Sequence, residues 1–274
     1  MRGPRYDFED EVVFVTGAAR GLGMAIATQF ADHGADLVLV DRCVDLPANP
    51  YSLATRDDLE ETATAVRERG GAAVEIVGDV RDGTAVDAAM ATGTAELGEL
   101  SVVIHNAGIW NGSPALALDE TTWDEVVDVS LTGARHCLRY GTERLAAAGD
   151  GGRIVCTGSI GSLVGTAGAG HYAAAKHGVR GLVAAAARDL AGTGITVNAV
   201  CPTGMATPMI DGVAETQGED PFDRIAEASG AMNVLDGDLL DPSAVAEAYL
   251  WLASDAARAV SGVALPVDAG ATAK

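Results

Sequence analysis

Positive charge is scarce in this sequence. Its 18 lysines and arginines stand against 39 aspartates and glutamates, for a formal net charge of −21. Neutralising phosphates needs a basic surface, so sequence-independent DNA or RNA binding is excluded and anionic membrane surfaces are disfavoured. The acid excess serves solubility, or adaptation to a salt- or acid-rich cytoplasm. Cysteine is sparse too. Cys43, Cys137, Cys156 and Cys201 are widely spaced with no CxxC pair, which argues against a zinc site or a disulfide framework, and no metal is expected. Cys156 and Cys201 fall in apolar runs and are expected to be buried small hydrophobes. No apolar run approaches the roughly 18 residues that span a bilayer. The opening segment MRGPRYDFEDEVVF is acidic, with only a short apolar stretch, so it does not resemble a secretory leader. The expectation is a cytoplasmic protein. No Pro-, Gly- or Ser-rich linker divides the chain, and 48% of its residues are hydrophobic, so a single domain over residues 1–274 is expected.

What is present is a rhythm of short β-branched runs and Ala-rich helical stretches. Candidate strands lie at 12–16, 36–41, 73–79, 101–108, 152–159, 195–202 and 263–268. Helices are expected over Leu22–His33, Asp57–Arg69, Gly83–Leu97, Thr121–Ala148 and Tyr172–Ala191. Strands apolar on both faces, alternating with helices, predict an α/β fold: a Rossmann-type doubly wound domain with a seven-stranded parallel sheet flanked by helices. Two segments break the rhythm, a Pro-containing insertion at 42–56 and a long connection at 203–240. Both follow the carboxyl ends of strands, where such sheets bind ligands.

The first strand passes into the first helix through Thr16-Gly17-Ala18-Ala19-Arg20-Gly21-Leu22-Gly23. Gly17 suits the tight turn, Gly21 lets backbone approach a pyrophosphate, and Gly23 lets the helix pack near the sheet. The helix N-terminus through Leu22 then offers free N–H groups to phosphates. Asp41 ends the second strand, placed to accept hydrogen bonds from the adenosine ribose and to repel a 2′-phosphate. That favours NAD over NADP, although Arg20 and Arg42 could each reach a 2′-phosphate.

Together with Asn106-Ala107-Gly108, Ser159, Tyr172-x-x-x-Lys176 and the closing Pro266-Val267-Asp268-Ala269-Gly270, this loop resembles the short-chain dehydrogenase/reductase family over nearly the whole chain. The resemblance implies that Asp79 and Val80 meet the adenine edge. It places Asn106, Ala107 and Gly108 near the nicotinamide ribose, and Pro202, Thr203, Gly204 and Thr207 at the nicotinamide amide. It also implies a homotetramer built through the long helices after the fourth and fifth strands.

Tyr172 and Lys176 are four apart on an expected helix and share a face. A tyrosine, with its ordinary pKa near 10, is a poor base until a neighbouring ammonium favours the phenolate. Lys176 supplies that charge and can hold ribose hydroxyls. Ser159 can hold the substrate oxygen against Tyr172, which removes the alcohol proton in oxidation and returns it in reduction. The chain departs from the family in Asp128-Val129-Ser130-Leu131-Thr132-Gly133. The family commonly has an asparagine where Ser130 stands, helping to hold a water that relays protons from the lysine. Ser130 is shorter, so the relay is expected to be weakened or rerouted. His105, at a strand end, is expected to be packed and neutral.

Asp41-Arg42-Cys43, Tyr51-Ser52-Leu53-Ala54-Thr55, Asn106-Ala107-Gly108-Ile109-Trp110 and Pro202-Thr203-Gly204-Met205-Ala206-Thr207-Pro208-Met209 resemble the mycofactocin-coupled, carveol dehydrogenase-like branch of the family. That branch implies an insertion covering the adenosine half of NAD, a cofactor kept between turnovers, and mycofactocin as electron acceptor. A secondary alcohol, terpenoid or carveol-like, is the implied substrate. Its pocket is expected near Ile109, Trp110, residues 159–168, His171 and the 203–240 connection, with 221–229 as a lid helix. An NAD(P)-linked ketone reductase with exchangeable cofactor and a non-catalytic nucleotide sensor stay open as alternatives.

Overall fold

The computed structural model describes residues 6–113, 117–149, 151–165, 168–217, 233–235 and 239–273. The expected lid at 221–229 lies outside them. Seven strands form one parallel sheet: β1 (Val12–Thr16), β2 (Asp36–Asp41), β3 (Ala73–Val77), β4 (Leu100–His105), β5 (Gly152–Thr157), β6 (Ile195–Pro202) and β7 (Ala264–Val267). Their order is β3-β2-β1-β4-β5-β6-β7. The order reverses between β1 and β4, and the crevice at such a reversal is where a doubly wound sheet takes its ligand.

Alternate residues of each strand feed two apolar layers, as a period of two requires. Val13 and Val15 pack with α1 (Gly21–Asp32), α2 (Arg56–Glu68) and α8 (Pro242–Ala253) through Ile26, Phe30, Leu59, Val66 and Leu250. Val12 and Phe14 pack on the other face, where α3 (Gly83–Leu97), α5 (Gly133–Ala148) and α6 (Gly170–Asp189) contribute Met90, Cys137, Leu138 and Val179. Cys156 and Cys201 are fully buried, as their apolar surroundings predict. No helix among the described residues is long and apolar enough to cross a membrane.

Most helix starts are capped from the sequence. Thr55 and Asp58 form a capping box at α2, and Asp82 and Asp241 accept N–H bonds at α3 and α8. α1, like α5 and α6, has no side-chain cap, and at its N-cap Arg20 the first N–H groups are left facing the crevice.

The helix expected over Thr121–Ala148 is present without a gap from Glu120 to Ala148, but its winding changes midway. α4 (Glu120–Val127) gives way to a π turn at Asp128–Thr132 before α5 begins. Single π turns mark places where tertiary contacts override the regular helix ladder, commonly at functional sites. The 203–240 connection contains one further described helix, α7 (Pro208–Gln217).

Candidate active site

A cleft runs along the carboxyl ends of the strands. It is lined by Gly17, Arg20, Gly21 and Leu22 after β1, by Asp41 and Arg42 after β2, and by Asp79 and Val80 after β3. Asn106, Ala107, Gly108 and Ile109 continue it after β4, and Ser159, Tyr172 and Lys176 close the centre. Pro202, Thr203, Met205, Thr207, Pro208 and Met209 form its far wall. The glycine turn is built for close approach: a Cβ on Gly23 would lie 1.9 Å from the Gly17 carbonyl oxygen. Among the expected residues, Gly23, Gly204, Ser130, Trp110 and His171 are not in the lining. His171 is fully buried, and neither ring nitrogen has a partner.

Asp41 lines the cleft at the end of β2. Burial raises its carboxyl, opposed by N–H bonds from Ala19 (3.1 Å) and Cys43 (3.4 Å). The two arginines that could have answered a 2′-phosphate each have partners in or beside the insertion. Arg20 Nη2 donates to the Ser52 carbonyl at 2.7 Å. Arg42 donates to Val44 O and Asp45 O and pairs with Asp79. Burial works to raise the Asp79 carboxyl, but hydrogen bonds from Arg81 and the charge of Arg42 outweigh it and hold it below the usual carboxylate range.

The insertion at 42–56 folds over this end. Leu46, Tyr51, Leu53 and Ala54 all line the cleft. Ala48 N donates to Glu125 Oε2 (3.0 Å), and Asn111 Nδ2 donates to Ala48 O (2.8 Å), tying the insertion to the elements after β4. Tyr51 is 5% exposed, and its hydroxyl accepts from the Trp110 N–H at 3.2 Å. A Cβ on Gly212 of α7 would lie 2.6 Å from Tyr51 Cβ, so helix and ring are in direct contact. In the sequence Tyr51 is marked only by the branch resemblance of Tyr51–Thr55, which says nothing of these contacts.

At the centre, a Cβ on Gly161 would lie 3.5 Å from Ser159 Oγ and 3.6 Å from the Tyr172 ring, so the two side chains flank one glycine. Burial raises the Tyr172 phenol, and the Ser159 hydroxyl beside it acts in the opposite direction. Lys176 is 2% exposed, and its ammonium lies 5.5 Å from the centre of the Tyr172 ring. Burial pushes the lysine down to about 8. Its Nζ donates to the Thr157 carbonyl at 2.7 Å. The Thr157 hydroxyl donates to Asn106 Oδ1 (3.2 Å) and, with its own hydrogen so used, accepts from the buried Tyr249 hydroxyl (2.7 Å). Asn106 Nδ2 donates to Gly17 O at 3.0 Å, so one amide links the glycine turn to the floor beneath the lysine. Thr157 and Tyr249 carry no sequence motif. Thr203 Oγ1 is buried in the wall without a partner. No group of three or more potential metal ligands occurs among the described residues.

These features have close counterparts. A family model described as enoyl-(acyl carrier protein) reductase matches residues 17–272. The chain is 42% identical over 266 residues to an uncharacterised oxidoreductase of Mycobacterium tuberculosis, covering 96% of each. It is 39% identical over 274 residues to (-)-trans-carveol dehydrogenase of Rhodococcus erythropolis, covering 97% of this chain and 99% of the relative. The crystal structure of carveol dehydrogenase from Mycobacterium avium in complex with NAD superposes with a TM-score of 0.92 at 36% identity, covering 98% of this chain and 100% of that one. With the glycine turn, Ser159, Tyr172 and Lys176 assembled in one cleft, the chain belongs to the short-chain dehydrogenase/reductase family.

Proposed function

We propose that this chain is an NAD-dependent oxidoreductase that interconverts a secondary alcohol and its ketone. The observation that carries the reading is the convergence of Ser159, Tyr172 and Lys176 beside an uncapped helix start and a glycine turn. The residues fit the dinucleotide. Gly17 and the Arg20–Gly23 backbone would hold its pyrophosphate, and Asp41 its adenosine ribose. Asp79 and Val80 would meet the adenine edge. Asn106, Ala107, Gly108, Tyr172 and Lys176 would surround the nicotinamide ribose. Pro202, Thr203, Gly204 and Thr207 would meet its amide, for which the unpartnered Thr203 hydroxyl is available.

The bound nicotinamide supplies hydride transfer. The protein supplies position and proton transfer. Ser159 holds the substrate oxygen, and Tyr172 takes the alcohol proton in oxidation and returns it in reduction. Lys176 lowers the cost of the phenolate by its charge. Ile109, Met205 and Met209 give the substrate end an apolar wall, which supports a terpenoid, carveol-like alcohol.

The insertion supports a slowly exchanging cofactor. It is held by Arg20, Glu125, Asn111, Trp110 and α7, and a cofactor beneath it leaves only when those contacts open. In that mode mycofactocin is the proposed electron acceptor. We propose a homotetramer assembled through the helices after β4 and β5, as the family resemblance implies. We place the protein in the cytoplasm. The test is to load the purified protein with NAD, desalt it and add labelled NAD, then to assay carveol oxidation with an artificial electron acceptor. Retained NAD with acceptor-linked turnover supports the coupled mode. Rapid exchange with NADH accumulation assigns an ordinary dehydrogenase. Absence of turnover with a broad panel of secondary alcohols counts against the substrate class.

A further inference from the structure

His105 stands at the end of β4, between the glycine turn and the π turn. It is fully buried. Its Nδ1 lies 3.4 Å from Thr16 Oγ1, and its Nε2 lies 3.3 Å from the Ser130 carbonyl oxygen. The partners fix where the proton sits. A carbonyl oxygen only accepts, so Nε2 carries the hydrogen. Thr16 Oγ1 already accepts from Asn106 N (3.1 Å) and Ala107 N (3.2 Å), so its own hydrogen points to Nδ1. Hydrogen bonds therefore run in one direction, from the Thr16 hydroxyl through the imidazole to the Ser130 carbonyl. The titratable groups around the ring are Lys176 of α6, Cys156 paired with His105 across β5, and Cys137 of α5 beside Thr16. Burial, and then the charge of Lys176, push the imidazole down to about 3, so the ring is neutral. Its room comes from Gly133, where a Cβ would lie 3.2 Å from His105 Cε1 and 2.8 Å from Val80 Cγ2.

The other end of this chain of bonds faces the catalytic lysine. Ser130 is fully buried, and its hydroxyl has no partner. A Cβ on Gly108 would lie 3.5 Å from Lys176 Nζ and 3.7 Å from Ser130 Oγ. An ammonium and an orphan hydroxyl thus flank one space that a glycine keeps open. A buried hydroxyl without a partner is costly, and a polar space with several convergent groups suits a bridging water.

We propose that His105 is a positioning residue for proton transfer. By holding the Ser130 carbonyl it sets the π turn so that the Ser130 hydroxyl faces Lys176 across Gly108, and through Thr16 it ties that setting to the glycine turn. The inference rests on Tyr172 and Lys176 being the proton-handling pair.

The test is the ionisation of the Tyr172 phenol in the NAD-loaded protein. It is followed by near-ultraviolet tyrosinate absorbance, as the difference from Tyr172→Phe in each background. His105→Leu removes both bonds at similar volume, and it is expected to raise the Tyr172 ionisation by about one pH unit. His105→Gln, which can still donate to the Ser130 carbonyl, is expected to return most of the shift. Ser130→Ala leaves the imidazole bond to the carbonyl intact and is expected to shift Tyr172 in the same direction. It serves in place of His105→Leu should that variant not fold. Unmoved Tyr172 ionisation in Ser130→Ala and in folded His105→Leu overturns the inference. If Tyr172→Phe itself leaves turnover unchanged, the acid–base reading has failed and not this one.

Discussion

Tyr51 offers a direct handle on the insertion, because it joins three segments that are distant in sequence. Its hydroxyl accepts the Trp110 N–H, its ring lines the cleft, and its Cβ lies against Gly212 of α7. Tyr51→Phe removes only the acceptor. The Trp110 N–H is then unpaired in the closed arrangement but hydrated when the insertion lifts. An unsatisfied N–H costs about 1–3 kcal/mol, and the partly buried setting places it near the low end. About 1 kcal/mol against the closed form accelerates cofactor release roughly fivefold. Gly212→Ala acts from the other side. Its new methyl would meet Tyr51 Cβ at 2.6 Å, and a Cβ cannot swing aside as a side-chain tip can. Overpacking of this kind costs about 1–3 kcal/mol, so release should quicken by roughly five- to a hundredfold, from a residue outside the cleft lining. The assay is displacement of labelled NAD from the loaded, desalted protein by excess unlabelled NAD, with thermal midpoints measured alongside. Release rates equal to wild type in both folded variants would refute the idea that the insertion and α7 close on each other through Tyr51.

Three further outcomes are expected. Tyr172→Phe should lower turnover by about 10²–10⁴-fold while NAD affinity stays within about threefold; near-normal turnover would remove the phenol from the reaction. Asp41→Asn should shift the NADP-to-NAD affinity ratio by about tenfold or more toward NADP, since a carboxylate and a phosphate repel at short range; an unchanged ratio in equilibrium binding would relocate discrimination elsewhere. For His105, the unfolded imidazole titrates near 6.5 and the folded one near 3. Below about pH 6.5 the unfolded chain takes a proton that the folded one refuses, so stability falls with acidification, by about 2 kcal/mol at pH 5. His105→Gln should lack that contribution. Denaturant midpoints at neutral pH and pH 5 check it, and equal losses in both proteins would contradict the buried, neutral ring.

The parallel sheet was legible because its strands are apolar on both faces, and runs such as Val12–Thr16 and Ile195–Pro202 admit little else. The glycine turn, Ser159 and the Tyr172–Lys176 spacing were legible because close approach and a shared helix face are local properties. The π turn at Asp128–Thr132 was not. It contains no proline, and its amphipathic pattern continues from α4 into α5; the wider turn meets His105 and packs against α6, which are tertiary facts. Arg20 and Arg42 read locally as free cations, and only the path of the insertion shows Arg20 bonded to Ser52 O and Arg42 to Val44 O, Asp45 O and Asp79. The Thr157–Tyr249 bond joins residues 92 positions apart and has no periodicity to betray it.

That last bond has a mechanical consequence. Tyr249 belongs to α8, on the face of the sheet away from α6, yet its hydroxyl ends on Thr157, whose carbonyl grips the lysine. The floor of the reaction centre is therefore riveted through the sheet rather than resting on it. A displacement of α8 by a fraction of a bond length, from a neighbouring copy or from damage near the chain's end, would be transmitted to the ammonium before any strand came apart. Activity would then report on the back of the molecule sooner than a melting curve does.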